Sequence, residues 1–272
     1  MKIQEKLKNL KKIISSYKSA AIAFSGGVDS TLLACVSKDA LCKTDNSNLL
    51  LITATSSTYP FYELDEAKEL AKMLNLNHKI IVSEETSIPG FSDNPPDRCY
   101  YCKKELFSLI KVIADNKGLE AVFDGSNFDD AKDYRPGRKA VSELGIKSPL
   151  FEAGLTKEEI RGISRMYKLP TAEKPAYACL ASRFPYGEKI TMKKLGRVGQ
   201  AEHELRQLGF SQFRVRSHDS LARIEFIQNE MNRAWELRKE IQDVCLNCGF
   251  TFVSIDLKGY RTGAMNETLK RN

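Results

Sequence analysis

The chain reads as an α/β protein, a doubly wound parallel sheet followed by a smaller α+β domain. Two observations predict this. Through the first half, short apolar runs alternate with segments of helical period, the pattern of a parallel sheet covered on both faces. From about Thr191 the order changes to helix, two strands, helix and strand. With 272 residues, of which 42% are hydrophobic and 28% charged, the chain is long enough to build both cores.

Ile3, Leu7, Leu10, Ile14 and Tyr17 recur at helical spacing and predict an opening helix. AAIAF, residues 20–24, is an unbroken apolar run stopping at two glycines, as a buried strand does. A helix follows from near Asp29, then a strand over LLLITAT (49–55), a helix over 63–74 and a strand over KIIV (79–82). Beyond a loop carrying DRCYYCKK the spacing predicts a helix over 103–116, closed by Gly118, and the strand AVFD (121–124). Thr156 and Glu159 make a capping box opening one more helix, which ends before Pro170. The second part should contain a helix ending at Gly209, strands QFRVRS (212–217) and LARIEFI (221–227), a helix over 230–248 and the strand FTFVSIDL (250–257). We expect domains at 1–185 and 186–272, with the joint in the irregular stretch 173–186.

Composition removes several function classes. No apolar run approaches the roughly 18 residues of a membrane span, and MKIQEKLKNLKK is too charged for a secretory signal. We therefore expect a cytoplasmic protein with no membrane partner. Seven cysteines, an odd number, argue for reduced thiols with separate roles instead of a disulfide framework. The net charge of +7 is dispersed among 35 acidic residues, which counts against nucleic acid as a partner.

The most informative motif is SGGVDST, residues 25–31, between the first strand and its helix. Gly26 and Gly27 let the backbone turn sharply and approach a ligand, while the amides opening the helix suit an anion such as phosphate. The GK[ST] ending of a Walker loop is missing, so the loop carries no lysine for terminal phosphates. Asp29 stands there instead, a carboxylate suited to Mg²⁺. Ser25 and Ser30 flank it. The same residues would also serve as an ordinary capped strand-turn-helix.

On this loop the chain resembles the PP-loop ATP pyrophosphatases, and the resemblance implies a Rossmann-like sheet, ATP bound through its pyrophosphate, and adenylation of a substrate oxygen. A second matching stretch is DGSNFDDAKDYRPGRKA, 124–140, in which Gly125, Asn127 and Asp130 follow a strand end and Arg135 to Gly137 form the family's turn. The adenine is implied near the end of the second strand, at Thr53, Ala54 and Ser56.

DRCYYCKKELF, KPAYACLASRFPYGEKIT (174–191) and the closing DLKGYRTGAMNE (256–267) narrow the resemblance to the sacrificial sulfur transferases that build the nickel-pincer cofactor of lactate racemase. It covers essentially the full length. It implies a pyridinium dicarboxylate mononucleotide as substrate, its carboxylates becoming thiocarboxylates, and a homo-oligomer. In one branch the cysteine matching Cys179 gives up its own sulfur and becomes dehydroalanine. In the other, three cysteines hold a 4Fe-4S cluster whose open iron carries a sulfide. Cys99, Cys102 and Cys179 supply three candidates, and we favour this branch. Arg183, close behind Cys179, favours thiolate, the reactive form.

Cys245 and Cys248 form a second CxxC, which with the first could make a zinc site. Leu237, Ile241, Cys245 and Cys248 share one helix face, which makes core positions the better reading, and Cys35 and Cys42 look equally structural. Arg214 and Arg216 leave the same face of a strand, as two forks suited to a phosphate, with Glu202 nearby in the family's pattern. An ordinary charged outer face explains them nearly as well. Two other functions stay open: a tRNA thiolase with a basic groove, and a non-catalytic nucleotide or cluster carrier.

Overall fold

The structure, a computed structural model, describes residues 2–42, 46–56, 58–59, 61–132, 136–175, 178–261 and 263–268. Arg135 of the expected turn lies outside them, as do Ala176 and Tyr177. The chain forms two compact units, Met1–Ile88 with Asp97–Tyr177, and Pro89–Pro96 with Ala178–Asn272. Residues 178–185 go with the second unit because Arg183 is ion-paired to Glu202. The stretch 89–96 joins them because Asn94 Nδ2 donates to the carbonyls of Phe184 and Pro185, at 3.3 and 2.6 Å.

The first unit runs α1 (Ile3–Ile14), β1 (Ala20–Ala23), α2 (Val28–Leu41), β2 (Leu49–Thr55), α3 (Phe61–Met73), β3 (Asn77–Val82), α4 (Arg98–Asn116), β4 (Ala121–Phe123), α5 (Gly137–Glu143), α6 (Pro149–Glu152) and α7 (Lys157–Met166). Its four strands are parallel in the order β3-β2-β1-β4. Successive strand residues face opposite sides, so the unbroken apolar runs serve two cores. Ala20, Ile22, Leu49 and Leu51 pack with Leu10, Leu32 and Ile160 of α1, α2 and α7. Ala21, Leu50, Ile52 and Val122 pack with Phe107, Ile110 and Val141 of α4 and α5.

The end signals act as written in the sequence. Thr156 Oγ1 accepts from the Glu159 amide at 3.3 Å while Glu159 Oε2 accepts from the Thr156 amide at 2.9 Å. Gly118, at φ +65°, closes α4, and the Leu119 amide donates back to Ala114 O at 2.9 Å. The start of α4 differs from expectation. It begins at Arg98 instead of 103, immediately after Pro95 and Pro96, which a helix cannot extend back through. Cys99 and Cys102 therefore lie in its first two turns instead of a loop.

The second unit holds α8 (Met192–Gln207), β5 (Phe213–His218), β6 (Leu221–Phe226), α9 (Met231–Glu236), α10 (Arg238–Asn247) and β7 (Phe252–Ile255). β5 pairs antiparallel with β6, and β6 parallel with β7. The single helix expected over 230–248 is two, broken at Leu237 (φ −89°, ψ 20°). Phe210, Phe213 and Phe226 cluster in the core, the closest ring centroids 4.6 Å apart.

Cys245 is fully buried, and burial pushes its thiol up to about 12. Burial also raises the half-buried Cys248. Neither offers a thiolate near neutral pH. Residue-resolved iodoacetamide labelling of the folded, metal-free protein at pH 8 should modify the exposed Cys99 and Cys179 at once, and Cys245 only after denaturant is added. Among the described residues, no helix is long and apolar enough to cross a membrane.

Candidate active site

In the first unit the chain leaves β1 for β2 and β3 on one side and returns to β4 on the other. The crevice beyond the carboxyl ends of β1 and β4 is thus the switch point where open α/β sheets bind ligands. The glycine loop lies there. Gly26, at φ +68°, would place a Cβ 3.2 Å from the Ala67 Cα of α3, so both its conformation and its close packing demand glycine. Gly27 is the N-cap residue of α2. Ser25 Oγ lies 3.2 Å from Ser30 Oγ and accepts from the Gly27 amide at 3.4 Å, which ties the turn to the helix. Gly125, just after β4, packs against the same helix start, where a Cβ would stand 3.3 Å from the Ser30 amide nitrogen.

Side chains around the loop converge on Asp29. Asn127 Nδ2 donates to Asp29 Oδ1 at 3.5 Å, and Asp130 Oδ2 fixes Asn127 by accepting from its amide at 3.0 Å. The sequence reading missed two lysines. Lys157 Nζ is 2.5 Å from Asp29 Oδ2. Lys174 Nζ donates to Gly26 O at 3.2 Å and pairs with Glu63 at 2.8 Å and Glu66 at 2.6 Å. Burial by itself would lower the Lys174 pKa, but the two carboxylates raise it, so the ammonium stays charged. No local motif could have revealed either contact, because the partners are 128 and 148 positions apart.

At the end of β2, Thr53 Oγ1 donates to Phe24 O at 2.6 Å, joining this strand to β1 just before the loop. Ala54 pairs with Ile81 of β3, and Ser56 Oγ lies 3.0 Å from Thr58 Oγ1. Glu85, also absent from the sequence reading, lies close by. Burial raises its carboxyl, with hydrogen bonds from Ser56, Thr58 and Cys102 opposing the rise. Its Oε1 is 3.8 Å from Cys102 Sγ. Cys99 and Cys102 stand one helical turn apart, exposed and half-buried.

In the second unit Cys179 is exposed at the head of a short turn, Leu180–Arg183. Arg183 is only 1% exposed. Its Nη1 donates to the carbonyls of Ala178 (2.6 Å) and Cys179 (3.2 Å), while Nε and Nη2 donate to both oxygens of Glu202 at 2.8 Å. The guanidinium thus grips the backbone that carries the thiol. Glu202 Oε1 also accepts from the Val215 amide at 3.0 Å, so this carboxylate serves Arg183 and β5.

Arg214 and Arg216 are buried, at 4% and 8% exposure, and do not form an ordinary outer face. Arg216 donates to Ser182 O at 2.8 Å and to Glu225 Oε2 at 2.7 Å, and its Nε is buried without a hydrogen-bond partner among the described residues. Burial and the Arg183 charge push the Arg214 pKa down. That concentration of positive charge away from water suits an anion.

The sheet and its glycine loop are those of the PP-loop nucleotide-binding class. No protein-family model matches the chain. It is 37% identical over 250 residues to the pyridinium-3,5-bisthiocarboxylic acid mononucleotide synthase of Lactiplantibacillus plantarum, covering 92% of this chain and 90% of that one. The chain belongs to this synthase family. It is also 42% identical to an uncharacterized protein of Synechocystis sp., over 99% of this chain and 100% of the relative. An uncharacterized protein of Methanocaldococcus jannaschii is 32% identical, with 96% and 94% covered.

Proposed function

We propose that the chain is an ATP-dependent sulfurtransferase that converts the carboxylates of a pyridinium-3,5-dicarboxylate mononucleotide to thiocarboxylates. The observation that carries this reading is the glycine loop at the switch point, in a chain of the synthase family. A carboxylate is a poor electrophile, so it must first be activated. A substrate carboxylate oxygen attacks the α-phosphorus of ATP, the bond to pyrophosphate breaks, and an acyl adenylate forms. Sulfur then attacks its carbonyl carbon and AMP departs. Gly26, Gly27 and the first amides of α2 hold the polyphosphate, while Thr53, Ala54 and Ser56 border the adenine. Asp29, an oxygen donor beside Asn127, fits Mg²⁺. Arg214 and Arg216 take the substrate phosphate, for which Arg216 Nε, without a hydrogen-bond partner among the described residues, supplies a donor.

For the sulfur source we favour a 4Fe-4S cluster held by Cys99, Cys102 and Cys179, whose open iron would present a sulfide. Two thiols one turn apart fit cluster ligation. Among the described residues, no group of three His, Cys, Asp or Glu is placed to hold a metal ion, so the cluster reading rests on the family resemblance and on these thiols. Arg183 orients Cys179 through its carbonyl. The alternative is sacrifice of the Cys179 sulfur.

The test is anaerobic purification with iron and sulfide analysis, followed by intact mass before and after turnover with ATP and the mononucleotide. We expect AMP and pyrophosphate to form, iron to be bound and the mass to stay unchanged. An iron-free chain that loses the mass of one hydrogen sulfide would assign the sulfur to Cys179. Absence of pyrophosphate would reject adenylation.

A further inference from the structure

The two CxxC pairs share a spacing and differ in their surroundings. Cys245 lies in the last turn of α10 and Cys248 is its C-cap residue, where the Cys248 amide donates to Val244 O at 3.0 Å and the Phe250 amide to Cys245 O at 3.1 Å. That end is buried and closed. Cys99 and Cys102 lie instead at the start of α4, the first exposed and the second half-buried. In an α-helix, residues three apart have Cα atoms about 5 Å apart, within the roughly 4.4–6.8 Å that a disulfide spans. Their Cβ atoms stand about 5–6 Å apart, against roughly 3.5–4.5 Å in the bonded pair, so the turn must tighten for the bond to close. The start of α4 is free to do so. Asp97 gives it no side-chain cap, and the Tyr100 amide already donates to Asp97 O at 2.8 Å, the i to i−3 bond of a tighter turn.

We propose that Cys99 and Cys102 are a redox-active pair, which a low-molecular-weight disulfide oxidises reversibly to an intramolecular disulfide in the metal-free chain. Cys99, the more exposed thiol, reacts first. Its sulfur attacks one sulfur of the reagent, the reagent's S–S bond breaks, and one reduced thiol leaves with the proton. Cys102 Sγ then attacks the Cys99 sulfur of the mixed disulfide, and the second reduced thiol leaves with the second proton. The two cysteines lose two electrons and the reagent gains them. Glu85 Oε1, 3.8 Å from Cys102 Sγ, holds the resolving thiol at the turn. A disulfide that strains a helix start within reach of solvent is readily reduced again, as a regulatory bond must be. Oxidised, the pair withholds two of the thiols proposed for the cluster, although its formation depends on neither sulfur source.

The test treats the full-length chain, reduced and freed of metal by a chelator, with oxidised and reduced glutathione in varied ratio under anaerobic conditions at neutral pH. After acid quenching, mass mapping should show the peptide that carries both Cys99 and Cys102 lighter by two hydrogens, with Cys245 and Cys248 still reduced. Excess reduced glutathione should restore the original mass. Cys179→Ser should leave this result unchanged. Cys102→Ser should stop at a glutathione adduct on Cys99, and Cys99→Ser should take up glutathione at Cys102 several-fold more slowly, as its lower exposure requires. The inference is overturned by a parent chain that keeps both thiols reduced, stops at the Cys99 adduct at every ratio, or bridges Cys99 to Cys179. Oxidation of the α10 pair at the same ratio overturns it as well, since spacing and not surroundings would then decide.

Discussion

Glu202→Ala is expected to destabilise the second unit by about 3–5 kcal/mol, the usual penalty for stranding one partner of a buried ion pair. Arg183 has no exposed side-chain surface, and Glu202 accepts two of its N–H groups as well as the Val215 amide. Removing the carboxylate leaves a guanidinium in a dry site with Arg214 already nearby. The double variant Arg183→Met/Glu202→Leu removes both charges and should lose much less than the sum of the single changes. Burial alone would raise the Glu202 carboxyl, but Arg183 and Arg214 bring it below the usual carboxylate range. Its contribution is therefore complete above its unfolded pKa of about 4.3 and disappears as pH falls through the lower folded value. Urea unfolding at pH 7, 5 and 3 measures this. A penalty below about 1 kcal/mol at pH 7, or a penalty of the same size at pH 3, would contradict a buried charge pair.

Asp29→Ala should slow ATP-dependent pyrophosphate release by about 10³-fold or more. A metal that neutralises developing phosphate charge supplies several kcal/mol to the transition state, and each 1.36 kcal/mol is about tenfold in rate. Stability should barely change. The Lys157 and Asp29 side chains are 33% and 22% exposed, and solvent-accessible pairs typically contribute less than about 1 kcal/mol. The two substitutions thus separate by type: Glu202→Ala is read in unfolding, Asp29→Ala in pyrophosphate release at an unchanged urea midpoint. Release within tenfold of the parent rate would remove Asp29 from the proposed chemistry.

The parts of the fold that were legible in the sequence depend on neighbours along the chain. AAIAF is a strand in the middle of a sheet because every one of its side chains can be buried, on one face or the other. Gly118 ends α4 because only a residue tolerant of positive φ closes that turn easily. The start of α4 was misplaced because the CxxC spacing suggested a loop, whereas the two prolines upstream were the real boundary. The break at Leu237 left no mark at all, since a periodic apolar pattern reads the same through one helix or two.

The candidate site divides along the same line. The chain by itself determined the glycine turn, the carboxylate inside it and the inventory of thiols, because residue type and spacing within a few positions fix those chemistries. Tertiary structure alone decided that Lys157 and Lys174 stand on that turn, that Arg183 grips a backbone instead of lying in solvent, and that Arg214 and Arg216 are buried. The reason is physical: such contacts act through distance in space, so burial and partner are not written in local spacing, and for Lys157 and Lys174 more than a hundred residues separate the lysine from the turn.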